Sequence, residues 1–378
     1  MANNVGPSEY GSFAYAFILI TYSAYIVFGT NQSIVKHFPL SKKENEKNYF
    51  FKHGIYVTGL GLLLLFLAFV LSPDEKINAL IVLISSNKLI IELSVTFCRV
   101  QEKVARINIL YFCNTIPLLI FYFHFDTTSM LNFFMIWSYS TTIAALVGLI
   151  FIFSIFLKQK INLFLFENVR REHFMKTFFS GLSLAIIGFS TPFFASFDKL
   201  ILSYINYDSA NLGLMQFADN LAAIIALGFG SLTFILTPSM IKNLNEGVIS
   251  KSEFIKQGYL IYGSATIIII LLIILIYPIF LSIFPDYKIL YPLIIQTLTR
   301  LSISALFMLN ILVMVRSLEI IQIKSIVKSL CIFICLLILN ILFFQSNYYF
   351  YAVPLCGLLS TVSLHLFLIR DNKIMDQR

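Results

Sequence analysis

The chain has 378 residues, 58% of them hydrophobic and only 12% charged, with a net charge of +8 and a mean hydropathy of +0.86. Soluble domains carry nearer a quarter of their residues as Asp, Glu, Lys and Arg, so a fold with a charged coat in water is excluded. The basic residues fall at the ends of apolar runs, which also excludes a nucleic-acid binder, and no alternating segments of a membrane β-barrel occur.

The apolar runs are about 20 residues long, the length that a hydrocarbon core of about 30 Å asks of a helix. They predict an all-α polytopic membrane protein with about 11 transmembrane helices, over 10–35, 54–72, 77–99, 105–125, 130–157, 174–205, 211–237, 257–284, 288–315, 324–345 and 349–369. The first and sixth runs are long or polar enough to tilt or to continue beyond the membrane. The third carries Lys88 and Glu92 and closes on Arg99. Separations of four and seven residues are close to whole helical turns, so these three share one face. Between the fifth and sixth runs, Ile161–Arg171 mixes apolar and basic residues. It reads either as a helix lying at the membrane surface or as an ordinary basic linker. The sixth run carries Asp198-Lys199, the seventh Asp219 and the ninth Arg300. Tyr348–Tyr351 begins the last run as an interfacial aromatic belt. The five cysteines show no CxxC or Cys/His spacing and read as small packing residues. The five histidines are scattered, and no metal site is expected.

Loop charge orients the chain, because Lys and Arg gather on the cytoplasmic side. With 36–53 cytoplasmic, that side carries 21 of the 27 Lys and Arg; Lys76 and Lys288 lie opposite, and Lys88, Lys199, Arg300 and Lys328 lie within spans. The C-terminus is then cytoplasmic and residue 1 outside. A repeat runs through the chain. Gly6-Pro-Ser-Glu-Tyr-Gly11 precedes the first span as Asp208-Ser-Ala-Asn-Leu-Gly213 precedes the seventh. Ser72-Pro-Asp74 answers to Phe284-Pro-Asp286, and Arg99 to Arg316. Three matches in one order predict two homologous six-helix bundles in a parallel repeat. A long helix precedes Gly213 and nothing comparable precedes Gly11, so the first helix of the N-terminal bundle is expected to be missing. The expected domains are an N-terminal bundle over 1–157, a cytoplasmic linker over 158–173 and a C-terminal bundle over 174–378.

Gly6-Pro-Ser-Glu-Tyr-Gly11, Phe197-Asp-Lys-Leu-Ile-Leu-Ser-Tyr204, Ala210-Asn-Leu-Gly-Leu-Met-Gln-Phe-Ala218 and the stretch Leu232–Ile241 resemble the polysaccharide flippase family. These are Wzx-type exporters of O-antigen and capsule units, within the multidrug/oligosaccharidyl-lipid/polysaccharide exporter superfamily. The resemblance implies a bacterial inner-membrane protein that moves an undecaprenyl-pyrophosphate-linked oligosaccharide from the inner to the outer leaflet by alternating access. It implies a lipid-linked oligosaccharide and membrane lipids as partners, along with a polymerase and a chain-length regulator of the same pathway. It implies no nucleic acid and no cofactor beyond a coupling H+ or Na+.

Charges inside spans face a cavity or a partner. Lys88 and Arg300 are the expected cavity contacts of the pyrophosphate, whose dense charge needs cations once water is removed. The alternatives are an internal Lys88–Glu92 pair and an Arg300 bond to helix carbonyls or a structural carboxylate. Glu92, Asp198 and Asp219 are the carboxylates available for ion coupling, against a structural pairing such as Asp198 with Lys199. Two other functions fit the composition. A multidrug exporter of the same superfamily would favour acidic rather than basic midplane positions. A membrane polysaccharide polymerase or ligase would need acid and base groups on a sizeable outer loop. Short loops such as His124–Ser129 do not supply them, so no enzymatic activity is expected.

Overall fold

The computed structural model describes residues 6–38, 44–71, 76–124, 129–159, 171–245, 250–315 and 319–376. Among the described residues the secondary structure is helical throughout. The helices are α1 (Pro7–Ser12), α2 (Ala14–Ser23), α3 (Thr30–His37), α4 (Glu44–Leu71), α5 (Lys76–Val100), α6 (Val104–His124), α7 (Met130–Gln159), α8 (Arg171–Tyr204), α9 (Ser209–Asn245), α10 (Lys251–Ile283), α11 (Leu290–Val315), α12 (Glu319–Phe343) and α13 (Tyr349–Asp376). Seven of them are long and apolar enough to cross a membrane, and an eighth counts if Thr177–Ser190 and Pro192–Tyr204 form one broken span. The expected surface helix at 161–171 and the Ser72–Asp74 match lie outside the described residues, apart from Arg171 itself.

The expected single span over 10–35 is not one helix. It is divided into α1, α2 and α3, with a turn over 24–29. Phe28 and Gly29 both take positive φ, 49° and 66°. A Cβ on Gly29 would lie 2.0 Å from the Gly181 carbonyl oxygen. The close approach of α8 and the left-handed backbone together admit only glycine there, and the helix stops. Apolar content alone could not reveal this break, because the turn is as hydrophobic as its flanks.

The chain divides into two compact units, one comprising Met1 and Ala16–Phe189, the other Ala2–Tyr15 and Ser190–Arg378. In the first unit α5 packs on α7 through a stripe of Ile84, Asn87, Ile91, Ser94 and Cys98, all buried. Asn87 Nδ2 donates to Thr142 Oγ1 at 2.9 Å, and Ser94 Oγ donates to the Gly148 carbonyl at 3.2 Å. Small and polar residues let two helices approach where lipid offers no hydrophobic drive to associate. One end of the unit is closed by a phenylalanine cluster, with Phe51 and Phe97 edge-to-face at 4.7 Å.

In the second unit α9 packs against α1 and α11, and α13 packs against α11 and α12. The α1–α9 crossing is backbone on backbone. A Cβ on Gly11 would meet the Ser209 carbonyl oxygen at 1.8 Å, and one on Gly213 would meet that of Pro7 at 1.9 Å. The Ser8 and Ser209 hydroxyls share a hydrogen bond of 2.8 Å across the same crossing. The most hydrophobic window of α10 contains no residue buried within the protein, and Leu260, Leu271 and Leu275 are well exposed. In water such a surface would aggregate; in lipid it is solvated. Where α10 begins, Ser250 and Glu253 form a reciprocal capping box, with the Ser250 amide donating to Glu253 at 3.1 Å.

Gly213→Ala therefore forces α1 off α9. The expected cost is about 1–3 kcal/mol, read as a lowered midpoint of thermal unfolding in detergent. Gly263→Ala, where an added Cβ meets nothing within 4 Å, is the control expected to leave the midpoint unchanged.

Candidate functional site

Among the described residues, charged side chains gather within apolar helices in both units. In the second unit, α8 supplies Asp198 and Lys199, α9 supplies Asp219 and α11 supplies Arg300. Arg300 Nε and Nη2 both reach Asp219 Oδ1 at 2.7 Å. Lys199 Nζ lies 3.5 Å from the other oxygen of Asp219 and 3.3 Å from Asp198 Oδ1. The Lys199 ammonium also donates to the Ala195 carbonyl. Lys199 is fully buried, and Asp198 and Asp219 are nearly so. Two carboxylates and two cations make a closed, neutral group, the form in which charge survives burial. Arg300 is the most open member, with its side chain 20% exposed.

A second polar chain includes Asn220, the residue after Asp219. Gln216 Nε2 donates to Asn220 Oδ1 at 3.0 Å, and Asn220 Nδ2 donates to the Tyr10 hydroxyl. Tyr10 thereby ties α1 to α9 one residue away from both Gly11 and Asp219. Nearby in the chain, a cavity of about 530 Å³ opens at the α8–α9 turn, with Tyr207, Asp208, Asn211 and Tyr349 in its wall. Asp208 there accepts from the Ala210 and Asn211 amides at 3.4 and 3.2 Å, which caps α9. Desolvation, more than any neighbour, raises the Tyr207 phenol above its ordinary pKa.

In the first unit α5 has two faces. The buried stripe meets α7, while Lys88, Glu92, Val95 and Arg99 follow one another on another face: Glu92 and Arg99 are exposed, Lys88 is half-buried, and Val95 is half-buried against the Ile91, Ala144 and Ala145 cluster. The shared face expected from the spacing is present. Lys88 Nζ is turned to the ring of Trp137 on α7, 4.9 Å from its centroid. Among the described residues no ion pair within 4.0 Å joins Lys88 to Glu92. At the Arg99 end of the unit, Lys103, Arg106 and Lys158 gather, and burial followed by the other two cations lowers the Lys103 pKa.

The structure thus brings Asp198, Asp219 and Arg300 together and places Lys88 and Glu92 in the other unit. Arg300 bonds to a carboxylate, one of the alternatives open from the sequence. Sequence reasoning names Lys199 only as half of a pair with Asp198; its contact with Asp219 joins two separate helices, α8 and α9, and has no local signal. It also passes over Trp137, although a lone tryptophan inside an apolar run is visible there.

The model of the polysaccharide biosynthesis protein family matches residues 1–244. The chain belongs to that family. This is the Wzx-type flippase family of the multidrug/oligosaccharidyl-lipid/polysaccharide exporter superfamily, whose members are membrane transporters and in general not enzymes. The match takes in Lys88, Glu92, Asp198, Lys199 and Asp219 and ends before Arg300. No curated protein matches the chain. With its several apolar helices, this family member is a multi-pass membrane protein.

The charged group of the second unit makes a ranked prediction. Asp219 holds two cations and Asp198 shares one of them. Asp219→Ala leaves Lys199 and Arg300 facing each other and is expected to cost about 3–5 kcal/mol, measured by thermal unfolding in detergent. Asp198→Ala is expected to cost less than half as much.

Proposed function

We propose that the chain carries undecaprenyl-pyrophosphate-linked oligosaccharide units from the inner to the outer leaflet of a bacterial inner membrane, for O-antigen or capsule synthesis. Family membership supports a lipid-linked oligosaccharide as cargo. The observation that carries the reading is the charged face of α5. Lys88 and Glu92 stand within a helix long and apolar enough to cross a membrane, Glu92 exposed and Lys88 half-buried over Trp137. Charges at that depth line water or meet a partner. A wet, cation-bearing wall is what a pyrophosphate headgroup needs on its way through, while its polyprenyl tail stays in lipid.

The architecture that serves this reading is the repeat expected from the sequence: two homologous bundles, the first of them without its first helix, that rock to open the cavity to each side in turn. The basic residues set the C-terminus in the cytoplasm, and the cations at the Arg99 end of the first unit mark the same side. Lys88 is the principal contact for the pyrophosphate. Arg300 contributes through the N–H groups that Asp219 leaves open, since a guanidinium has five. For ion coupling, Glu92 is the exchangeable carboxylate. It is exposed and has no cation within 4.0 Å among the described residues, whereas Asp198 and Asp219 are held in the neutral group. H+ or Na+ serves equally, and the pathway's polymerase and chain-length regulator are the expected neighbours.

Expression in a strain lacking its own repeat-unit flippase tests the proposal. Surface polysaccharide is expected to return with the native chain and to fall at least about tenfold with Lys88→Gln, a loss of at least about 1.4 kcal/mol. Glu92→Gln is expected to flatten the pH dependence of export. Full membrane insertion without any surface polymer contradicts the reading.

A further inference from the structure

Trp137 is the single tryptophan of the chain, and its surroundings are not those of a core residue. Its ring centre lies 6.1 Å from Phe17, 6.0 Å from Phe133 and 5.8 Å from Phe134, with interplanar angles of 31°, 41° and 34°. Phe134 is fully buried and anchors the group. Phe17, Phe133 and Trp137 are each half-buried. The result is a shallow aromatic platform contributed by α2 and α7, all within the first unit. Lys88 Nζ sits over it at 4.9 Å from the Trp137 ring centre. Asn87, Thr141 and Thr142 are already bonded to one another or to the helix, so the half-buried Trp137 under Lys88, rather than those groups, is what a ligand would meet.

We infer that this platform seats the first pyranose of the cargo, the sugar next to the pyrophosphate, and that Lys88 and the sugar exchange places over Trp137. The inference rests on the transport reading above and names the part of the cargo that this site recognises. An aromatic face carries partial negative charge and attracts both an ammonium group and the positively polarised C–H groups of a sugar ring. With no cargo, the ring holds the Lys88 ammonium where lipid and water would otherwise compete for it. A pyrophosphate draws the ammonium into a charge-assisted hydrogen bond of about 2.8 Å. The sugar hangs from that phosphate by one glycosidic oxygen, so a phosphate on Lys88 delivers the pyranose to the ring the ammonium has just left. Stacking tolerates different hydroxyl patterns, which suits a site that reads the presence of a sugar rather than its identity.

The lone tryptophan supplies the test. The purified full-length chain in detergent is titrated with geranyl pyrophosphate and with the same molecule bearing N-acetylglucosamine on its terminal phosphate. Affinities are measured by equilibrium binding and Trp137 emission is followed in parallel. The sugar-bearing probe is expected to bind about tenfold more tightly than the bare one and to shift the emission further. In Trp137→Ala that ratio of affinities falls to about one, and in Trp137→Phe, which keeps a ring, it recovers. Equal affinities and equal spectra for the two probes in the native chain overturn the platform while leaving pyrophosphate transport standing. A ratio that persists in Trp137→Ala overturns it in the same way. Failure of both probes to bind the native chain overturns the transport reading itself, and the platform with it.

Discussion

A charged side chain at hydrocarbon depth has two stable surroundings, an opposite charge or water. Both units of this protein are organised by that constraint, and they meet it in opposite ways. The second unit closes Asp198, Lys199, Asp219 and Arg300 on themselves, with Asp219 giving one oxygen to each cation. Such a group ties three helices to one another, because removing Asp219 strands Arg300 and removing Lys199 takes from Asp198 the cation it bonds. The first unit leaves Glu92 exposed on α5 and Lys88 half-buried over Trp137. One arrangement holds structure and the other offers a surface to a charged cargo.

Packing follows the same logic. In lipid, helices gain little from burying leucine against leucine, so the contacts that matter are small residues and hydrogen bonds. Gly11 and Gly213 bring α1 and α9 into backbone contact. Ser94 bonds to Gly148 between α5 and α7. The large aliphatic residues are displaced outward, most completely on α10, where lipid takes the place of a protein core.

Much of this is legible in the sequence. Helix limits from α5 to α12 mostly fall within a few residues of the apolar runs, because hydrocarbon thickness sets the length of a run directly, whereas α4 begins at Glu44, well ahead of its run, and α9 and α13 continue past theirs to Asn245 and Asp376. The common face of Lys88, Glu92 and Arg99 follows from spacing alone. The break of the first run does not, since it depends on Gly181 approaching Gly29 from a helix some 150 residues away. The pairing of Arg300 with Asp219 is hidden for the same reason. Two charges in separate runs give no sign of whether they meet. The stretches around Gly11 and Gly213 can be recognised as alike, but likeness carries no information about contact, and their reciprocal packing appears only in three dimensions.

The central claim is that the charged face of α5 meets water inside the membrane. Reaction of introduced cysteines with a small, charged, water-soluble thiol reagent measures this directly, in a chain whose five native cysteines have been replaced. Glu92→Cys is expected to react at least about tenfold faster than Leu271→Cys on the lipid-facing surface of α10, because only the former meets the water that carries the reagent. Equal, slow labelling at both positions would show that the face is covered by lipid or protein, and would contradict the account.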